Sequence, residues 1–474
     1  MSVVKNQFVL NFNRPEYVPY PELFISSLAW RVANLPGWKG IEDGKPIGLV
    51  FDREGDSSPK IDLKRTNPNR RSGQRTQWLK ALDHNFDIRN SDDVGDAFVL
   101  ALKGVSSHRM KSQSATPITK HSALLQNTVG VFNKQGPPDV GSILESMFLM
   151  GENGGLGPSA SELWLNAMNC RSDLDVFLAH LDDTIRQGIL PDSSPTDVFT
   201  ASPHFDRTQV SPGFSTDTPF SWLHQNWTKI TSERWVRALP PRRWVDWATT
   251  VLRTGFAMCL LWEMRWYEEL AAAILSPEPI EQIDVLNAVR LGAPLLEWRA
   301  PNEGDSLRDI AEPVRSVIAH GVAIRSALDD RKIRYDEDNF SDQVKELRRN
   351  QDLIDSLKQG SRATFAGKSP SMWESIKYAL VVRSDDGEQS DHYGVLKTRG
   401  RFSVVEPASE WIACMASLSC PGPQSFGSLG DLSKSLSSLG FRPSRNLLLS
   451  SVEKVGLARG AADADQAVEI ESAF

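Results

Sequence analysis

The stretch "PPRRWVDWATTVLRTGFAMCLLWEMRWYEELAAAIL" (240–275) does most to limit what this chain can become. Trp244, Trp247, Val251 and Phe256 recur three to five residues apart, roughly one face of a long helix. Arg253, Glu263 and Arg265 interrupt the apolar run, which makes it a buried helix rather than a membrane span. Seven of the fourteen tryptophans fall between Trp222 and Trp266, and helical spacing assigns them to a core or a subunit interface. Further helical patterns follow: "IEQIDVLNAVRLG", "SLRDIAEPVRSVIAHGVAIRSALDD", and "SDQVKELRRNQDLIDSLKQG" with Ser341 as its cap.

Upstream the pattern is mixed. "NQFVLNF" alternates like a strand, "PELFISSLAWRVAN" starts a helix at Pro21, and "PIGLVFDREGDSSPKIDLK" reads as strand, turn, strand. A helix is expected to begin near Ser159 or Ser161. Between Gly188 and Phe220 the chain is rich in Pro, Ser, Thr and Asp without periodicity, the composition of a linker or surface loop. At 474 residues two or three domains are the natural division. The predicted fold class is therefore α+β and predominantly helical. It comprises an N-terminal α/β module (1–187), a linker (188–220), a Trp-rich helical domain (221–365), and a β-hairpin plus terminal helices (366–474). The hairpin is expected within "YALVVRSDDGEQSDHYGVLKT", turning at Asp385, Asp386 and Gly387.

Charge is distributed unevenly. The net charge is −7, which excludes a generally basic nucleic-acid coat, yet residues 57–138 carry thirteen Lys/Arg against six Asp/Glu. Lys64, Arg65, Arg70, Arg71 and Arg75 gather around an Asn-Pro-Asn turn with no acid among them, and Trp78 lies just beyond. This is a candidate polyanion contact, set against a solvated loop. The same region resembles, in outline, the hairpin of metal-dependent nucleases. Asp52 or Asp56 would supply one carboxylate and "Asp62-Leu63-Lys64" the acid-x-lysine element, which would imply a bound magnesium ion. A hairpin with solvent-facing charges explains these residues as well.

Other motifs exclude more than they suggest. The glycine-rich turn in "GENGGLGPSASE" precedes a helix, an anion-binding arrangement, but lacks the Gly-Lys-Ser/Thr ending of a P-loop. In "FAGKSP", Arg362 stands where the first glycine should be and Pro370 follows at once. The eight histidines show no metal-ligand spacing: His180 lies near Asp182 and Asp183, His204 near Asp206, and His320 reads as a hydrogen-bonded structural residue. Cys170, Cys259, Cys414 and Cys420 form no CxxC pair, so a reducing, cytoplasmic setting is expected, with no cofactor, no metal and no membrane partner.

The tail carries the clearest topology. Helices in "EPASEWIACMAS", "SLGDLSKSLSSLG" and "FRPSRNLLLSSVEKVG", a turn around Gly440 and a terminal hairpin resemble a winged-helix domain over about 403–474. The resemblance implies that Arg442, Ser444, Arg445 and Asn446, at the start of the third helix, meet bases and phosphates. Asp463, Asp465, Glu469 and Glu471 in the wing oppose phosphate. Through "RALPPRRWVDWATTVLRTGF" together with this tail, the whole chain resembles accessory proteins of bacterial multi-gene systems such as anti-phage defence loci. The function expected is a non-catalytic subunit that binds DNA or protein partners, with the metal-dependent nuclease as the alternative.

Overall fold

The computed structural model describes residues 18, 21–33, 41–42, 45–46, 103–106, 113–125, 140–152, 157–189, 198–200, 214, 216–299, 310–333, 339–381, 392–399, 402–459 and 468–474. These residues are predominantly helical with small antiparallel sheets. The strand expected at "NQFVLNF" and, apart from Pro46, the hairpin expected at 46–64 lie outside them.

Helix α1 (Leu23–Val32) starts just after Pro21, whose carbonyl accepts from the Phe24 amide. Its residues from Leu23 to Trp30 are all buried, so it has no solvent face. Two short ladders follow, β1 (Ile41–Glu42) with β2 (Lys45–Pro46) and β3 (Lys103–Ser106) with β4 (Gln113–Ala115), and then a 3-10 turn at Ser122–Leu125. Helices α2 (Val140–Met150), α3 (Ala160–Leu174) and α4 (Val176–Ile189) complete this part. Ser159 caps α3 in a reciprocal box with Glu162. The Glu145 carboxylate on α2 accepts from the next two free amides, Ala160 at 2.8 Å and Ser161 at 2.7 Å. That N-terminus is therefore filled by the chain's own acids, and the anion site suggested by the glycine-rich turn is occupied from within.

The 188–220 segment sends apolar side chains into the core, although Thr200, Thr216 and Asp217 are exposed. Val198, Phe199 and Phe214 are buried, Phe199 bridges Ala33, and Phe214 meets Trp262 and Trp266 edge-on at 5.2 and 5.7 Å.

Helices α5 (Pro219–Ile230) and α6 (Glu233–Ala238) lead into α7 (Pro241–Leu275), which follows Pro240 and ends before Ser276. Its 35 residues span ~50 Å at about 1.5 Å per residue. The single apolar face expected for it is instead a helix buried nearly all round. It is covered by α1, α5, α8 (Gln282–Leu291), α9 (Ala311–Asp329) and α12 (Ser369–Leu380). Two of the buried indoles find backbone acceptors from other helices, Trp244 donating to the Ile230 carbonyl at 2.8 Å and Trp227 to the Ala160 carbonyl at 3.0 Å, whereas those of Trp30, Trp164 and Trp247 have no acceptor among the described residues. Gly321 lets α9 approach α7 closely, since a Cβ there would lie 2.7 Å from the Met264 Cα.

The helix expected over 341–360 is two, α10 (Phe340–Leu347) and α11 (Gln351–Gly360). Asn350 breaks it by capping the second, its side chain accepting from the Leu353 amide at 3.0 Å, and Ser341 lies inside the first rather than capping it. The tail hairpin is also displaced. Tyr378, Ala379 and Leu380 end α12, and the paired strands are β5 (Leu396–Arg399) and β6 (Phe402–Val405). Asp385, Asp386 and Gly387 lie outside the described residues.

The chain ends with α13 (Ser409–Ser419), β7 (Phe426–Ser428), α14 (Leu429–Leu439), α15 (Arg445–Lys454), β8 (Ala458–Arg459) and β9 (Glu469–Glu471). The last three strands form an antiparallel sheet in the order β7-β9-β8. One hydrophobic core runs through the described residues from Val18 to Ile470. Among them no helix is long and apolar enough to cross a membrane.

Candidate nucleic-acid interface

The local chemistry that builds the tail is short in range. Ser428 and Asp431 form a capping box at the start of α14, and Gly440 ends it in the left-handed conformation at φ +93°. A side chain at Gly440 would also collide with Leu295, 2.6 Å from its Cδ1, while the Leu295 amide donates to the Gly440 carbonyl at 3.0 Å. The turn between α14 and α15 is thus fixed in shape and fastened to the helical body. Ser444 caps α15, its hydroxyl accepting from the Leu447 amide at 3.3 Å.

Several polar ties hold α13 and α14 to the body. Trp222 donates to the Ser435 hydroxyl at 2.9 Å, and Trp411 to the Thr254 hydroxyl at 3.2 Å. Arg243 reaches both the Tyr393 hydroxyl, at 2.7 Å, and the Glu410 carboxylate. Helix α15 packs inward through Leu448, Ser451 and Val452 and turns its amino-terminal residues outward.

Of the four sequence-predicted residues there, Arg442, Ser444, Arg445 and Asn446 are all exposed. Arg442 donates to the Gly292 carbonyl at 2.6 Å, a neutral acceptor that orients the guanidinium without cancelling its charge. Ser444 is committed to its cap. The side chains of Arg445 and Asn446 make no hydrogen bond or ion pair among the described residues. In the sheet Arg459 pairs with Glu471 at 2.6 Å, so one of the acids expected to oppose phosphate is paired; Asp463 and Asp465 lie outside the described residues.

The second predicted site is not described. Lys64, Arg65, Arg70, Arg71 and Arg75, and the nuclease candidates Asp52, Asp56 and Asp62, all fall outside the described residues. Among the described residues no three His, Cys, Asp or Glu side chains converge as metal ligands would.

One buried pair gives no local sequence signal. Asp182, which lies close to His180 in sequence, bonds to His121, 61 residues away. It accepts from the His121 amide at 2.8 Å and faces the ring Nδ1 at 2.8 Å. Burial alone would raise the Asp182 carboxyl, but the hydrogen bonds and charge of His121 outweigh it and hold the group below its usual value. The other ring nitrogen, Nε2, is buried without a partner. The nearby Ser122 hydroxyl donates to the Thr119 carbonyl at 3.0 Å and is not presented to it as a nucleophile. The pair ties the 3-10 turn to α4. His320 is likewise hydrogen-bonded, to Glu268 at 2.7 Å. All four cysteines are free thiols, and burial pushes those of Cys259 and Cys414 well above their usual value.

Compared with protein-family models and with curated proteins, the sequence matches none.

Proposed function

We propose that the chain is a non-catalytic subunit of a multiprotein complex that binds nucleic acid through a C-terminal winged-helix domain. The order helix, strand, helix, helix, strand, strand from α13 to β9, with the first strand beside the last, supports that domain assignment. One observation carries the binding reading. Arg445 and Asn446 stand exposed and unengaged at the amino end of α15, while α13 and α14 are spent on the body of the same chain. Arginine and asparagine are the side chains that pair bidentately with guanine and adenine, and a helix N-terminus favours phosphate.

The test is fluorescence anisotropy with labelled duplex at several salt concentrations and with magnesium present. Arg445→Ala is expected to weaken binding and to flatten log K against log salt by about 0.9, the slope of one phosphate contact. Asn446→Ala is expected to weaken binding without changing that slope. Unchanged binding by the Arg445→Ala/Asn446→Ala double variant would remove the tail from the interface. Changing Arg70, Arg71 and Arg75 to Ala in parallel reports on the N-terminal basic cluster. Strand cleavage in the same tubes would replace this reading by the nuclease alternative at Asp52, Asp56, Asp62 and Lys64.

A further inference from the structure

A cleft of about 560 Å³ opens between the end of α8 and the outer face of α14. Three cations from separate parts of the chain line it: Arg290 on α8, Lys434 on α14, and Arg442 in the turn before α15. None makes an ion pair among the described residues. Arg290 donates to the Thr216 carbonyl and Arg442 to the Gly292 carbonyl, so both guanidiniums are held by neutral oxygens and keep their charge. The Arg290 Nε is also buried with no acceptor. Asp217 supplies an acid to the lining, which leaves a concave surface with a positive balance that concentrates anions.

The remaining lining narrows the kind of anion. Trp262, Val289 and Leu295 form an apolar floor, which suits a ligand with a flat or apolar part. Ser433 and Ser437, one turn apart on α14, present side-chain hydroxyls that no other described residue engages. Asp217 has a positive φ of 50°, a backbone state that is uncommon for residues other than glycine and that recurs at ligand sites. Its carboxylate supplies the lining with an acceptor for a ligand hydroxyl. The volume falls within the roughly 300–1,000 Å³ usual for small-molecule sites.

We propose that this cleft binds a small phosphate monoester of mononucleotide size. The phosphate sits among Arg290, Lys434 and Arg442, a hydroxyl of the ligand meets Asp217, and the flat part lies on the Trp262 and Leu295 floor. The proposal does not depend on nucleic-acid binding by α15.

The test is calorimetric titration of the full chain with AMP, with inorganic phosphate and with a short single-stranded oligonucleotide, each repeated on Lys434→Glu. Lys434 is exposed and makes no bond that the fold needs, and thermal melting checks that the variant is folded. Ser437→Phe, which fills the cleft from an exposed position, is the second variant. Saturable AMP binding, tighter than phosphate alone and at least tenfold weaker in both variants, is the expected result. No AMP binding at millimolar concentration, or equal affinity in the variants, overturns it. Oligonucleotide binding that depends on Lys434 without AMP binding would also overturn it and assign the cleft to the nucleic-acid surface.

Discussion

Lys229 and Cys420, 191 residues apart, meet where the tail joins the body: the ammonium on α5 donates to the Cys420 carbonyl at 2.8 Å. It donates as well to the Leu418 carbonyl at 2.6 Å, so one cation closes the C-terminal end of α13, where the helix dipole is negative. Burial pulls the Lys229 amine below its usual value. Lys229→Met keeps the apolar stem and removes the donors. Leaving buried carbonyls unpaired costs roughly 1–3 kcal/mol, so the urea midpoint should fall accordingly. Amide exchange across 409–420 should quicken more than exchange in α7. Uniform acceleration throughout would mean that Lys229 stabilises the whole molecule and is not a specific tie for the tail.

Glu263 makes stability depend on pH near neutrality. It is fully buried in α7, with Tyr267 donating at 3.2 Å and Arg325 3.5 Å away, and burial pushes its carboxyl up to about 7. The folded state therefore holds a proton that the unfolded state, titrating near 4.5, releases. Between those values the folded state binds more protons, so stability falls as pH rises from about 4.5 through 7. At about 1.4 kcal/mol per unit the loss is about 3 kcal/mol at most. Asp246, raised to about 6 by burial despite Arg242 at 3.0 Å, adds in the same direction. Denaturation at pH 5, 6, 7 and 8 should show a falling midpoint. In Glu263→Gln most of that slope should disappear.

Gly321 sets how near α9 lies to α7. A methyl group there meets the backbone of Met264, with its carbonyl oxygen as well as its Cα 2.7 Å away, so the helices must part. Gly321→Ala gains helix propensity of about 1 kcal/mol, yet overpacking costs typically 1–3 kcal/mol and should win. The expected outcome is a lower melting temperature, with the far-ultraviolet circular dichroism signal unchanged. A rise in melting temperature would show that the contact is soft.

What could be read from the sequence was whatever local backbone chemistry dictates. Ser159 before Glu162, Gly440 past the last leucine of α14, and Gly456 after α15 act within a few residues, so their roles are visible in a short window. Local signals fail where two are in conflict. Asn350 offered a cap inside a continuous helical pattern and split it into α10 and α11, and "YAL" ended a helix although its composition suits a strand. Pairs such as Lys229 with Cys420 or His121 with Asp182 arise only when distant segments pack, and nothing near either residue announces the other. For the candidate interface, Arg445 and Asn446 were identifiable by their position just after the Gly440 turn, at the start of the helix that follows. The Arg290 and Lys434 cleft was not, because its lining comes from parts of the chain that are far apart in sequence.

Asp182 predicts the acid side of the stability profile. Its folded carboxyl is held below the ordinary aspartate value of about 3.8, so it contributes stability above that value which is lost as pH falls through the folded pKa. Asp182→Asn keeps the shape and can still accept from the His121 amide, but it faces the ring with a weaker acceptor. A hydrogen bond to a charged group is worth about 1.5–3 kcal/mol, and the variant should lose roughly that at pH 7. As pH falls through the folded carboxyl's pKa, native and variant should converge, because the native carboxyl is then protonated too. The measurement is the denaturation midpoint of both proteins from pH 7 down through the acid range to acid unfolding. A gap that does not narrow as the pH is lowered would show that shape, not charge, is what Asp182 contributes to the turn at Ser122–Leu125.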